Sequence, residues 1–92
     1  MTDERNIKIL IIGAGDAGRL VCESIQRDKE SSFEVVGFLD DDTAKKDKKI
    51  CGLNVLGIID DINKIVNKHN VRELIIAVPS SRGVTVRRII EN

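Results

Sequence analysis

Apolar positions in this chain come in short blocks whose spacing changes from one block to the next. Residues 7–12, Ile-Lys-Ile-Leu-Ile-Ile, are almost continuously apolar. That is the pattern of a strand buried on both faces, central and parallel. Residues 16–28 switch to helical spacing, with Ala17, Leu20, Val21, Ser24 and Ile25 on one side, and a polar run from Arg27 to Ser32 ends the helix. Residues 33–39 are rich in β-branched and aromatic side chains and predict a second strand. A polar loop follows over 40–50, then a short strand over 53–56 fenced by Gly52 and Gly57. Residues 60–69 predict a second helix with Ile58, Ile62, Ile65 and Val66 as its stripe. Asp60 or Asp61 suits its N-cap, His69 the negative end of its dipole and Asn70 the left-handed cap. Residues 73–78 predict a fourth strand, 79–83 a loop, and 84–90 a last helix carrying Val86, Ile89 and Ile90.

The predicted order is β-α-β-β-α-β-α. Right-handed crossovers put strand two beside strand one, strand three outside it, and strand four on the far side of strand one. The fold class is therefore α/β: a Rossmann-like three-layer fold with a parallel sheet of about four strands in the order 3-2-1-4 and helices on both faces. All of 1–92 reads as a single domain. Open sheets of this kind bind ligands where the order reverses, here between strands one and four. Strand four is an apolar edge in this arrangement, which predicts a homodimer with strand four or the last helix at its interface.

The first strand runs straight into Gly13-Ala14-Gly15-Asp16-Ala17-Gly18, a Gly-x-Gly-x-x-Gly loop opening the first helix. Gly13 lets the chain turn off the strand, Gly15 leaves the backbone open to a pyrophosphate, and Gly18 lets the helix lie close on the strand. The helix then directs free N–H groups at the phosphates. Asp16 would cap the helix, although its charge disfavours tight anion binding. Asp40 closes the second strand, 22 residues beyond Gly18. A carboxylate there accepts ribose hydroxyls and repels a 2′-phosphate, favouring NAD over NADP. The plainer reading of Asp40-Asp41-Asp42 is a solvated acidic turn. Ser80 and Ser81 follow strand four and could reach a ribose or phosphate across the crevice, or simply form a polar turn after Pro79. Lys45, Lys46, Lys48 and Lys49 could meet an extra phosphate, as on coenzyme A or NADP, or form a solvated loop. Arg19 could reach a phosphate or lie exposed on the helix. His69, the one histidine, reads as a helix cap.

Composition narrows the chemistry. Fifteen basic and fifteen acidic residues cancel, so no basic field draws nucleic acid or anionic lipid. Tyrosine and tryptophan are absent, which removes stacking platforms and any tyrosine acid/base catalyst. Cys22 and Cys51 lack metal spacing, and Cys22 reads as a small packing residue inside the first helix. The charged start and the short apolar runs predict no signal peptide and no direct membrane contact by this chain. A cytoplasmic setting fits. No residue is assigned a catalytic or metal-binding role.

Four linked blocks carry a resemblance: Leu10–Leu20 around the glycine loop, Val35-Val36-Gly37-Phe38-Leu39-Asp40-Asp41-Asp42, Ile50-Cys51-Gly52-Leu53-Asn54-Val55-Leu56-Gly57, and Ile75-Ile76-Ala77-Val78-Pro79-Ser80. Together they resemble the Rossmann-like domain that precedes the catalytic domain in CapD-like polysaccharide biosynthesis proteins, a family of nucleoside-diphosphate-sugar epimerases and 4,6-dehydratases. The resemblance implies a membrane-anchored parent that modifies a UDP-sugar with NAD(P) held in its catalytic domain, with this domain on the cytoplasmic side. The Tyr-x-x-x-Lys pair of those catalytic domains is missing here, so this stretch is expected to be an accessory piece of a longer chain.

The function expected is a nucleotide-binding accessory domain taking NAD(H) or a related nucleotide, with NADP, coenzyme A and UDP-sugars also open. Alternatives are a coenzyme-A- or NAD-sensing module of the Rex-like kind, the sugar-nucleotide-binding domain of a sugar acyltransferase, and a spacer with an empty crevice. Acyltransferases usually carry Gly-His or a related pair where this chain has Asp16-Ala17, which disfavours them.

Overall fold

A computed structural model describes residues 7–77 and the backbone of 85–89. Along the chain run β1 (Ile7–Ile12), α1 (Asp16–Arg27), β2 (Phe33–Leu39), a 3-10 turn (Thr43–Lys45), β3 (Lys49–Ile50), β4 (Leu53–Gly57), a second 3-10 turn (Ile59–Asp61), α2 (Ile62–His69), β5 (Glu73–Ala77) and β6 (Thr85–Ile89). The six strands form one sheet in the order β3-β4-β2-β1-β5-β6. Its four central strands reproduce the expected 3-2-1-4 order. β1 lies parallel to both β2 and β5, and β2 parallel to β4.

Two packed layers explain why β1 is apolar on both faces. Ile9 and Ile11 join Cys22, Val35, Val55 and Ile75 in a core on the α1 side. Leu10 and Ile12 join Leu39, Ile65, Val66 and Val71 on the α2 side. Ile9, Leu10 and Ile11 are each fully buried, worth about 1.5–3 kcal/mol apiece relative to exposure.

The helices follow their stripes with two corrections. The core-facing side of α1 is Ala17, Gly18, Val21, Cys22 and Ile25, whereas Leu20 stays 59% exposed. Ile58 precedes α2 and is exposed, leaving Ile62, Ile65 and Val66 to pack. Asn70 takes the left-handed cap of α2, with φ 56° and its N–H on the Val66 carbonyl. Asp61 stands at the N-cap without capping α2, because its carboxylate turns back to accept the Ile58 N–H at 3.1 Å.

Both sheet edges differ from expectation. β3 pairs antiparallel with β4 through a two-residue turn, Cys51-Gly52, both at positive φ. That is the twist a tight hairpin favours. The segment expected to form the last helix is instead a strand over Thr85–Ile89, antiparallel to β5 along its whole length, from Glu73 opposite Ile89 to Ala77 opposite Thr85. A short run with Thr85, Val86 and Ile89 fits either period. The open ladder of β5 decides between them by supplying backbone partners. β5 is therefore interior, and the unpaired edge that motivated a homodimer through strand four is already covered.

Candidate functional site

The glycine loop grows out of β1 while still tied to β2. Gly13 has φ +110°, a conformation that L side chains rarely adopt, and its N–H donates to the Leu39 carbonyl at 2.7 Å. Gly15 is the N-cap of α1 and offers no side-chain cap. Helical bonding starts with the Arg19 N–H on the Gly15 carbonyl at 3.0 Å. The N–H groups of Asp16, Ala17 and Gly18 thus lack partners within the helix and mark its positive end.

The glycines divide the work. A Cβ at Gly18 would run into the Gly13 carbonyl oxygen and stand 3.0 Å from its carbon, so this position is reserved for close packing of helix on loop. A Cβ at Gly15 would meet only ordinary contact, 3.6 Å from Lys45 Nζ. The openness at Gly15 faces outward, over the loop. Asp16 is exposed and is the first residue of α1; it does not cap the helix as expected. Ala17 packs its methyl on the α1-side core, which leaves its N–H as its contribution to the loop.

Asp40 is joined to this loop. Its Oδ2 accepts the Ala14 N–H at 2.8 Å and its Oδ1 accepts the Asp42 N–H at 2.8 Å. Lys45 Nζ forms an ion pair with Oδ2 at 3.6 Å. Burial pushes the Asp40 carboxyl up, but the Ala14 and Asp42 N–H groups and the Lys45 charge outweigh it and hold the group below the usual aspartate value. Asp40 is charged in this setting.

The acidic run is not a loosely solvated turn. Asp41 Oδ1 accepts the Ile59 N–H at 2.9 Å, tying the end of β2 to the turn after β4. Asp42 Oδ1 accepts the Ala44 N–H at 3.0 Å and caps the 3-10 turn. The Lys45 N–H also bonds to the Asp42 carbonyl at 2.9 Å. Lys45 is consequently half-buried, whereas Lys46, Lys48 and Lys49 are exposed. Sequence spacing could not separate these four lysines; the cap at Asp42 is the signal that would have done so.

Beside Asp40 lies a cleft of about 220 Å³ lined by Asp40, Thr43, Lys46, Gly57, Ile58 and Asp61. A more apolar groove of about 320 Å³ lies along α1, lined by Ile9, Leu20, Val21, Ser24, Ile25, Phe33 and Ile75, and holds no titratable group. Arg19 pairs with Glu23 at 3.1 Å on the exposed face of α1. His69, with Lys8 and Glu34, lines a depression at the end of the sheet opposite the loop. Ser80 and Ser81 lie outside the described residues. Among the described residues no helix is long and apolar enough to cross a membrane.

Known proteins resemble this chain. A family model described as a CoA-binding domain matches residues 1–92. The probable polysaccharide biosynthesis protein EpsC of Bacillus subtilis is 39% identical over 75 residues, 82% of this chain and 12% of EpsC. The redox-sensing transcriptional repressor Rex of Desulforamulus reducens is 33% identical over 81 residues, 88% of this chain and 38% of the repressor. The chain thus spans well under half the length of either relative. The crystal structure of UDP-D-quinovosamine 4-dehydrogenase from Vibrio fischeri superimposes with a TM-score of 0.72 at 30% identity, covering 83% of this chain and 60% of that one. That of RSP in complex with β-NADH superimposes with a TM-score of 0.70 at 21% identity, over 83% of this chain and 36% of the other, a likeness of fold.

Proposed function

The chain belongs to the CoA-binding domain family, and from that premise we propose that it is a nucleotide-binding accessory domain of a polysaccharide-biosynthesis nucleoside-diphosphate-sugar epimerase or dehydratase. The observation that carries this reading is the Asp40–Ala14 hydrogen bond, which sets the carboxylate at the end of β2 against the glycine loop. A nucleotide laid along that junction meets three kinds of group in order. Its phosphates meet the helix N–H groups of Asp16, Ala17 and Gly18 over the bare Cα of Gly15. Its ribose meets Asp40. Its base meets the cleft lined by Thr43, Ile58 and Asp61. The fit to a pyrophosphate rests on Gly15, where a side chain would fill the space over the loop.

NAD(H) is the ligand Asp40 favours, since a charged carboxylate accepts ribose hydroxyls and repels a phosphate placed on them. The likeness to EpsC and to a UDP-sugar dehydrogenase supports the polysaccharide setting. The domain binds and orients; chemistry on a sugar belongs to another part of the parent, and the setting is cytoplasmic. A second reading, a coenzyme-A- or NAD-sensing module, is favoured by the family's description and by the likeness to Rex. Calorimetry with NAD, NADP, coenzyme A and UDP-sugars tests both. Binding of one of them, lost on Gly15→Val, supports the proposal. Silence from all four at millimolar concentration overturns it.

A further inference from the structure

Lys45 holds two positions at once. Its ammonium pairs with Asp40 Oδ2 at 3.6 Å. It also stands 3.6 Å from the point where a Gly15 Cβ would be, in the space that the missing side chain leaves over the loop. Its backbone is fixed by the Asp42-capped turn, so this is the lysine of its cluster that the fold directs to the loop. Oδ2 accepts the Ala14 N–H and faces the Lys45 ammonium, while Oδ1 accepts the Asp42 N–H. While Lys45 stays, its ammonium competes with a ribose hydroxyl for Oδ2.

We propose that Lys45 is the phosphate-binding cation of this site, and that it reaches a pyrophosphate by leaving Asp40, whose freed oxygen then accepts a ribose hydroxyl. This inference rests on the nucleotide reading and deepens it: the ligand class is one carrying a phosphate and an unmodified ribose diol together. No covalent bond changes. One ion pair is exchanged for two contacts, and each half of the ligand makes room for the other. A lysine suits the exchange because its ammonium sits on a flexible stem with three donors and is not tied to a planar fork.

The test is a titration of the 15N-labelled chain with inorganic pyrophosphate, ADP and adenosine, followed at the amides of Ala14 to Gly18. Wild type is compared with Lys45→Gln, Lys45→Arg and Lys48→Gln, the last removing an exposed lysine of the same loop. Loss of a charge-assisted contact predicts that Lys45→Gln weakens pyrophosphate and ADP by about tenfold. Lys45→Arg should retain most of the affinity and Lys48→Gln should change it less than about twofold, as an exposed charge is screened by solvent and salt. Adenosine should bind Lys45→Gln at least as well as wild type, because no ammonium competes with the ribose for Oδ2. Equal pyrophosphate affinity in wild type and Lys45→Gln overturns the inference, as does an equal loss for ADP and adenosine. If a nucleotide binds both proteins alike, the lysine assignment falls and the nucleotide reading stands. If no nucleotide binds wild type, both fall.

Discussion

Asp40 and Ala14, 26 residues apart in sequence, are joined by a 2.8 Å hydrogen bond from the Ala14 N–H to Asp40 Oδ2. This bond closes the end of β2 onto the glycine loop. It gives a physical contact to two motifs that the sequence pattern pairs only by spacing.

The bond has a pH consequence. Asp40 titrates below the usual aspartate value in the folded chain. A depressed carboxyl contributes stability that is fully present above its unfolded value, near 4, and is lost as pH falls through the lower folded value. Urea midpoints measured between pH 6 and 2 should therefore fall on acidification for wild type and fall less for Asp40→Asn. Parallel curves would show that the Ala14 and Asp42 contacts do not hold the charge.

On the proposed reading, Asp40 sets cofactor preference. Asp40→Ala should weaken NAD about tenfold, through loss of charge-assisted hydrogen bonds, and narrow its advantage over NADP. Paired calorimetric titrations read both effects. Unchanged affinities for both cofactors would remove Asp40 from the ligand site.

Gly15, the N-cap of α1, and Gly18, in its first turn, should separate folding from binding. Gly18→Ala drives a Cβ into the Gly13 carbonyl and should cost about 1–3 kcal/mol of stability. Gly15→Ala has room and should cost no more than about 1 kcal/mol, the penalty of alanine at an N-cap, while its methyl obstructs the phosphate. Thermal melts beside ligand titrations would expose any reversal of that order.

The cysteines should differ sharply in reactivity. Cys22 is fully buried, and burial, then the neighbouring Cys51, then Glu23 push its thiol up to about 12. Cys51 sits half-buried in the β3–β4 turn, its thiol donating to the Arg19 carbonyl at 3.8 Å. A thiol reagent at pH 8 should modify Cys51 in the native chain and reach Cys22 only on unfolding. Two equivalents reacting at one rate would contradict the packing of α1.

The edge of β5 gives a prediction about assembly. With β6 paired along it, a chain cut after residue 84 regains an apolar, unpaired edge and should self-associate more than the full chain. Light scattering on the two would settle this. Equal masses at equal concentration would show that β6 does not guard the sheet.

What could be read in advance follows from how much of each signal is local. The four central strands were legible because Ile9 to Ile12 are buried on both faces, and right-handed crossovers then fix their neighbours. The roles of Gly13 and Gly18 were legible because turning and close packing demand a missing Cβ. The segment 85–89 was not, because Val86 and Ile89 fit a helix as well as a strand, and the choice rests with a separate strand, β5, that pairs with it in the ladder. β3 has two residues, too few for any period, and its turn was visible only as Gly52. Leu20 falls on the helical stripe yet stays exposed, because spacing defines a stripe without saying which edge of it meets the sheet. Lys45 resembled its neighbours until the Asp42 cap distinguished it.

The most direct test of nucleotide binding at the glycine loop is amide-shift mapping of the 15N-labelled chain with NAD. The account predicts the largest changes at Gly13 to Gly18 and at Asp40 to Lys45, abolished by Gly15→Val. Changes concentrated instead on Ile9, Leu20, Ile25 and Phe33, along the apolar groove of α1, or no changes at millimolar NAD, coenzyme A and UDP-sugar, would contradict it.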